Sequence, residues 1–279
     1  MTSEAALPLG ESRQEMLPAR DWVRVRADLS SKTTYIVWQG AIYSFEPGQP
    51  RQHLFNIVGM SAARCLAQAE DTWDFMSREL TFYLDPATNA ILHQWLNPWL
   101  GESVPVVHVA NDPVQGCFRR PLPAQVSSTT TTFRFDLFPS YANPLADDPR
   151  FADYSPQPLY QAVELFKLAI ATADLEDPTP SAIAQVSLAW SRIGPWLPWM
   201  KMGARPGQLI YSATGQKVLK INDLPQLLQE QIRDRLPQYQ EAPSQLNDGE
   251  DMTSWLYFRQ HFEAYLRGDI FPIGETQSS

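Results

Sequence analysis

The sequence predicts a mainly β (α+β) protein, an antiparallel barrel with a few covering helices. Three observations carry this. Short runs rich in β-branched and aromatic residues recur through the chain, separated by turns bearing Pro, Gly, Asn and Asp. Helical spacing of apolar residues appears only after residue 155. The 279 residues, 44% of them hydrophobic, are enough for one large β domain with a real core.

Residues 1–20 read as a polar leader without periodicity, and residues 21–279 as a single barrel domain with helical additions. Thr33 to Phe45 is the first strong strand, dense in Tyr35, Ile36, Val37, Trp38, Ile42 and Tyr43, and a Pro47-Gly48 turn closes it. Leu54–Val58 is a short apolar strand, after which Gly59 marks a bulge or a close backbone approach. Trp73 to Asn97 reads as a hairpin around Asp85-Pro86-Ala87-Thr88-Asn89-Ala90, returning along Ile91–Leu96. A further turn at Asn97–Gly101 leads into Val104–Val109. The Thr-rich residues 121–132 feed a half-exposed strand at Phe133–Phe138.

Ser155-Pro156 has the form of a helix start, with Leu159, Val163, Phe166 and Ile170 at helical spacing behind it. Val186, Leu188 and Trp190 alternate as a strand, and Leu209–Leu219 reads as a hairpin around Thr214-Gly215. Helices are expected from Asp223 through Leu228 and Ile232, and from Thr253 or Ser254 to Gly268. Barrels of modest strand number enclose one small-ligand cavity, so the architecture expected is calycin- or lipocalin-like.

Lys and Arg number 22 against 31 Asp and Glu, a net charge of −9. That balance disfavours a nucleic-acid partner or an anionic membrane surface. There is no run of eighteen apolar residues, so no transmembrane segment is expected. Cys65 and Cys117 read as free thiols, and the start of the chain lacks a signal-peptide pattern, so a cytoplasmic location is expected. Nucleotide-loop, metalloprotease and nucleophile-elbow motifs are missing, and no metal site or cofactor is expected.

The candidate site rests on the Trp73–Asn97 hairpin. Glu79 and Tyr83 lie on one face of its first strand and Arg78 on the other. With residue numbers summing to about 175 across the turn, His93, Trp95 and Asn97 join Arg78 on that second face. Only one face can line a lumen. Either His93 or Glu79 is then the proton shuttle, Tyr83 a donor, and Arg78 or Arg192 the stabiliser of developing negative charge. The apolar stretch Pro195–Met202 reads as a lid on a cavity, a core plug, or an exposed patch for a partner.

A resemblance runs through nearly the whole chain after residue 20. Trp38-Gln39-Gly40 with Tyr43, Tyr83-Leu84-Asp85-Pro86, and Trp95-Leu96-Asn97-Pro98 carry it first. Asn111-Asp112-Pro113-Val114, Ser140–Leu145, Trp190–Met200, Pro206-Gly207, Leu224-Pro225 and Ser254-Trp255 continue it. With these pieces the sequence resembles the family catalogued as domain of unknown function 1838, found in bacteria and fungi. The resemblance implies one domain family rather than a fusion and supplies no catalytic roles. Trp99-Leu100 departs from the polar turn natural between Pro98 and Gly101.

The expected function is a cofactor-independent enzyme acting on a hydrophobic small molecule, of the kind met in secondary metabolism, inside the barrel. Cyclisation, isomerisation or dehydration would suit such a site. The candidate ligand contacts are Trp38, Tyr43, Trp95, Asn97, His108, Asn111, Tyr141, Trp190, Trp196, Trp199 and Met200. The alternatives are a lipocalin-like carrier without chemistry and a protein-interaction module, and a homodimer is among the assemblies allowed.

Overall fold

The computed structural model describes residues 12–69 and 71–274. In chain order these form β1 (Arg13–Leu17), α1 (Ala19–Arg26), β2 (Thr34–Phe45), β3 (Gln52–Ala67) and β4 (Trp73–Leu84). Next come β5 (Gln94–Asn97), β6 (Glu102–Pro105), β7 (Val109–Phe118), β8 (Leu122–Val126) and β9 (Thr130–Leu137). Then follow β10 (Ser140–Ala142), β11 (Leu159–Gln161), β12 (Val163–Ala171), α2 (Thr172–Glu176), β13 (Ser187–Gly194) and β14 (Gln208–Val218). The last elements are α3 (Gln226–Asp234), α4 (Ser254–Gln260) and α5 (Phe262–Arg267).

Ten strands make one antiparallel sheet in the order β1-β8-β9-β12-β13-β14-β2-β3-β4-β7. The indole of Trp22 in α1 explains its shape. Its ring lies 5.9 Å from Phe118 on the edge strand β7, and 5.4 and 6.0 Å from Phe133 and Phe135 on β9, near the opposite edge. One side chain can touch both ends only if the sheet curls around it. The result is a half-barrel with α1 in its concave side, and no ladder joins β1 or β8 to β7.

Period-two alternation then assigns the faces. Trp38 sits opposite Gly59 and Gly215, Gly59 opposite Thr81, and Ser61 opposite Glu79. The concave face therefore carries Ile36, Trp38 and Gly40 of β2 with Gly59 and Ser61 of β3. Beside these lie Glu79, Thr81 and Tyr83 of β4. Gly59 is a close approach and not a bulge: a Cβ there would meet Trp38 Nε1 at 2.4 Å and the Leu80 carbonyl at 2.6 Å, so the missing side chain makes room for the indole N–H edge.

Polar groups lock α1 into the curl. Buried Arg24 donates to the carbonyls of Asp174, Leu175, Asp177 and Pro180. Lys217 of β14 donates to the carbonyls of Arg24 and Ala27 at 2.8 and 2.6 Å, taking up groups the helix end leaves free. The other end of the curl is plugged by Trp196, Leu197, Trp199 and Met200, all buried. Outside, Leu228 and Ile232 of α3 belong to the same buried cluster as Leu80 and Phe82 of β4. The free edge of β7 is covered by residues 247–252: Met252 donates to the Pro113 carbonyl, and Asp251 accepts from the Gln115 amide.

Several expectations are corrected. The helix expected behind Ser155 is the pair of strands β11 and β12. Glu164, Phe166, Leu168 and Ile170 alternate inward, and pairing with β9 and β13 overrides the coincident helical spacing. The hairpin expected at 209–219 is one strand, β14, with Gly215 in its interior against β2. The return strand behind Asp85–Ala90 keeps only the Leu84–Ile91 bridge, at the expected register, before β5 leaves to pair with β6. The expected leader lies outside the described residues up to residue 11, and its remainder holds β1 and the start of α1. No helix among the described residues is long and apolar enough to cross a membrane.

Candidate functional site

The concave face of the half-barrel gathers the chemistry. Its centre is a square of four inward positions, Ser61 and Gly59 on β3 beside Glu79 and Thr81 on β4. Arg26, from the last turn of α1, reaches over this square. Its Nη2 donates to Ser61 Oγ at 2.7 Å and its guanidinium rests 4.9 Å above the Phe75 ring. Trp38 enters from the β2 side, its Nε1 over Gly59. Asn111 of β7 lies opposite Glu79.

Electrostatics follow from this placement. Burial pushes the Glu79 carboxyl above the usual carboxylate range, while the Arg26 charge pulls it the other way; the negative charge of Glu164 on β12 adds to the rise. Desolvation lowers the Arg26 guanidinium. Burial likewise pulls the Lys217 amine, opposite Ile36 on the neighbouring strand, down to about 7, with the Arg26 charge as the next cause. Glu79, Trp38 and Asn111 are only partly buried as residues, although the Trp38 Nε1 and Asn111 Oδ1 atoms are themselves covered. Buried polar atoms around the concave face without a hydrogen-bond partner include Arg26 Nη1, Trp38 Nε1, Asn111 Oδ1 and Arg192 Nη1, with Trp22 Nε1 and Thr34 Oγ1 beyond them.

A second polar group lies toward the plugged end. Arg192 of β13, 7% exposed, donates to the Tyr160 hydroxyl at 2.9 Å, stacks 4.8 Å above the Tyr211 ring, and lies 3.5 Å from Glu164. Gly194 makes room for it, since a Cβ there would come within 2.8 Å of the guanidinium. Tyr83 interacts with Tyr211 through its hydroxyl, and Tyr141 stacks on Tyr160 at 4.6 Å. Trp190, stacked on Phe166 and 5.9 Å from Trp38, bridges the two polar groups with an aromatic belt.

Of the residues singled out in the sequence, the structure brings Glu79, Tyr83, Arg192, Trp38, Asn111 and Trp190 to the concave face, with Tyr141 against its Arg192 end. The rest go elsewhere. Arg78 points outward, pairing with Asp112 at 2.8 Å and donating to the carbonyls of Gln238 and Glu241. A bulge in β7 creates that outer pairing. His93 is exposed, because the chain leaves the hairpin after Ile91. Tyr43 packs on the convex side between His53 and Arg51. His108 is fully buried, accepts from the Tyr83 amide through Nδ1, and is held down to about 3 chiefly by burial, which makes it a neutral structural group.

Asn97 ties the Met200 carbonyl to the backbone amides of Trp99 and Leu100. Trp95, Trp196, Trp199 and Met200 belong to the core around it. The stretch 195–202 is thus a plug, and its burial removes the exposed-patch reading. Sequence reasoning missed Arg26, Glu164, Tyr160 and Tyr211. Glu164 and Tyr211 could have been found by reading their segments as single strands. Arg26 carries no local signal, since only the curl brings α1 over β3.

Two clefts lie away from this face. One, of about 440 Å³, runs beside His53, Asp85 and Trp95; another, of about 170 Å³, lies between Asp112, Tyr239 and His261. Neither holds a buried polar cluster of the kind seen on the concave side. Comparison with curated proteins gives no match. The family profile described as "Protein of unknown function (DUF1838)" matches residues 31–262, from just before β2 to the first residue of α5, and the chain belongs to that family.

Proposed function

We propose that the concave face binds a small, flat, largely apolar molecule and performs acid–base chemistry on it with Glu79. The single observation that carries this reading is the square around Glu79. A desolvated carboxyl on a partly buried residue stands there beside donors and an acceptor that have no protein partner. A carboxyl drawn upward by burial exchanges protons nearer neutral pH than an exposed one. The aromatic belt of Trp38, Trp190 and Phe166 offers flat surface to the molecule's body. Isomerisation, cyclisation or dehydration fits such a site. By strand register Tyr83 lies about 13 Å and Arg192 about 20 Å further along, and they would meet the far end of an extended molecule. The calycin- or lipocalin-like reading of the barrel belongs with this proposal, as a curled antiparallel sheet that holds its ligand inside.

The test compares wild-type protein with Glu79→Gln, both purified from the native host. Small molecules are extracted after denaturation and identified by mass spectrometry, then offered back to each protein. Turnover by wild type, reduced roughly 10²–10⁴-fold in Glu79→Gln, is the expected result. Recovery of one unaltered compound from both proteins, with no turnover by either, would assign the protein as a carrier instead.

A further inference from the structure

We infer that the molecule bound on the concave face carries an anionic oxygen, a carboxylate or enolate, and that Arg26 and Trp38 hold it beside Glu79. This rests on the concave-face reading above and names the class of ligand. Three observations carry it. First, the unpartnered atoms at the square are unequal in kind: Arg26 Nη1 and Trp38 Nε1 are donors, and only Asn111 Oδ1 is an acceptor. A ligand completing them must bring mostly acceptors.

Second, Arg26 makes no ion pair with a carboxylate among the described residues. Its one side-chain hydrogen bond goes to the neutral hydroxyl of Ser61. A desolvated guanidinium whose nearest carboxyl, Glu79, lies beyond ion-pair distance and is itself drawn toward its neutral form is costly, and an anion placed against its free edge removes that cost. Lys217 stands on the same side, but burial holds its amine down to about 7 and its donors are engaged by the carbonyls of Arg24 and Ala27, so Arg26 is the cation left for the ligand.

Third, the donors converge. Arg26 is anchored on Ser61 and the Trp38 N–H lies on Gly59. These are successive inward residues of β3, about 7 Å apart along the strand. An oxygen seated between them lies next to Glu79, which pairs with Ser61. Arg192 is the weaker anion site, because Glu164 already stands 3.5 Å from its Nε.

The test uses a pair of probes with the same flat body, 2-naphthoate and its neutral analogue 2-naphthamide, titrated calorimetrically. Wild-type protein is expected to bind the carboxylate roughly ten- to hundredfold more tightly. Arg26→Met, which keeps the aliphatic stem over Phe75, is expected to erase that preference and leave naphthamide affinity within about threefold. Trp38→Phe keeps one aromatic ring on this face and removes the N–H together with one of the two fused rings. It serves as the second variant, and should weaken naphthoate several-fold.

Equal binding of the two probes by wild type overturns the inference and leaves the concave-face reading standing. So does a preference that survives Arg26→Met, or one lost in Arg192→Met instead. Unchanged naphthoate affinity in Trp38→Phe overturns the part assigned to the indole. If neither probe binds wild type, the concave-face reading falls and the inference with it.

Discussion

Glu79 is held in the fold at a cost. Its carboxyl is raised above its ordinary value near 4.5 because burial strips water from the charged form. The sign for stability follows. Below pH 4.5 the carboxyl is protonated in folded and unfolded chains alike, and nothing is lost. As pH rises toward the higher folded value, the unfolded chain releases the proton first, and the fold loses stability relative to it. Glu79→Gln removes this loss while keeping the shape of the side chain. The variant is therefore expected to unfold at a higher temperature than wild type at pH 7–8, with the gain shrinking to nothing near pH 4. Thermal unfolding followed across that range checks it. A variant less stable than wild type at pH 8 would mean that Glu79 is ionised and paired in the fold, and no reservoir for proton transfer. Together with reduced turnover, the expected result would mark a residue kept for chemistry rather than stability.

At the scale of elements, what the sequence discloses depends on whether the signal is local. The β2 strand was legible because Tyr35, Ile36, Val37 and Trp38 are β-formers whatever they pair with. The Glu79–Tyr83 face of β4 was legible for the same reason, although only the structure shows that this face turns inward. The β12 strand was not, because Leu159, Val163, Phe166 and Ile170 satisfy a helical spacing, while the strand's own alternation through Phe166, Leu168 and Ile170 is short and the pairing that decides comes from β9 and β13. Helix α1 was hidden for a further reason. Its own N-cap position, Pro18, offers no side-chain cap; the Ala19 and Arg20 amides are taken up instead by the distant Asp71 carboxylate, and Arg24 and Lys217 tie the helix to residues 150 or more away. Those fastenings give a prediction. Lys217→Met leaves the Ala27 carbonyl buried without a donor and the Arg24 carbonyl with the Ile183 amide alone, which should cost about 2 kcal/mol. Chemical denaturation monitored by tryptophan fluorescence, with Trp22 in the adjoining helix, reports it. An unchanged midpoint would show that α1 holds its place through its apolar face alone.

The whole molecule is a sheet whose two ends never pair yet depend on each other. The β7 edge and the β8–β9 end are separated by six or more intervening strands in the order of the sheet. Residues 119–121 join β7 directly to β8, and the two ends pack together around α1, where Trp22, 4% exposed, lies on Phe118 at one end and on Phe133 and Phe135 at the other. Such an architecture keeps one side reachable, which a fully laddered barrel of this size would close, and it sets Arg26 over the square that holds Glu79. It also makes the curl depend in part on one side chain. Removing that indole should cost roughly 3–5 kcal/mol, as for other large aromatic truncations in a core. More tellingly, the loss should appear at both ends together. In Trp22→Ala, amide hydrogen exchange is expected to accelerate in β7 and in β9 alike, while the central strands β14, β2 and β3, paired on both sides, stay slow. Naphthamide binding should weaken in the same variant, since the concave surface opens as the ends part. Acceleration confined to β9 would mean that β7 is held by the 247–252 segment on its outer edge and not by α1. The half-barrel would then be set by the sheet's own twist, with the helix a passenger within it.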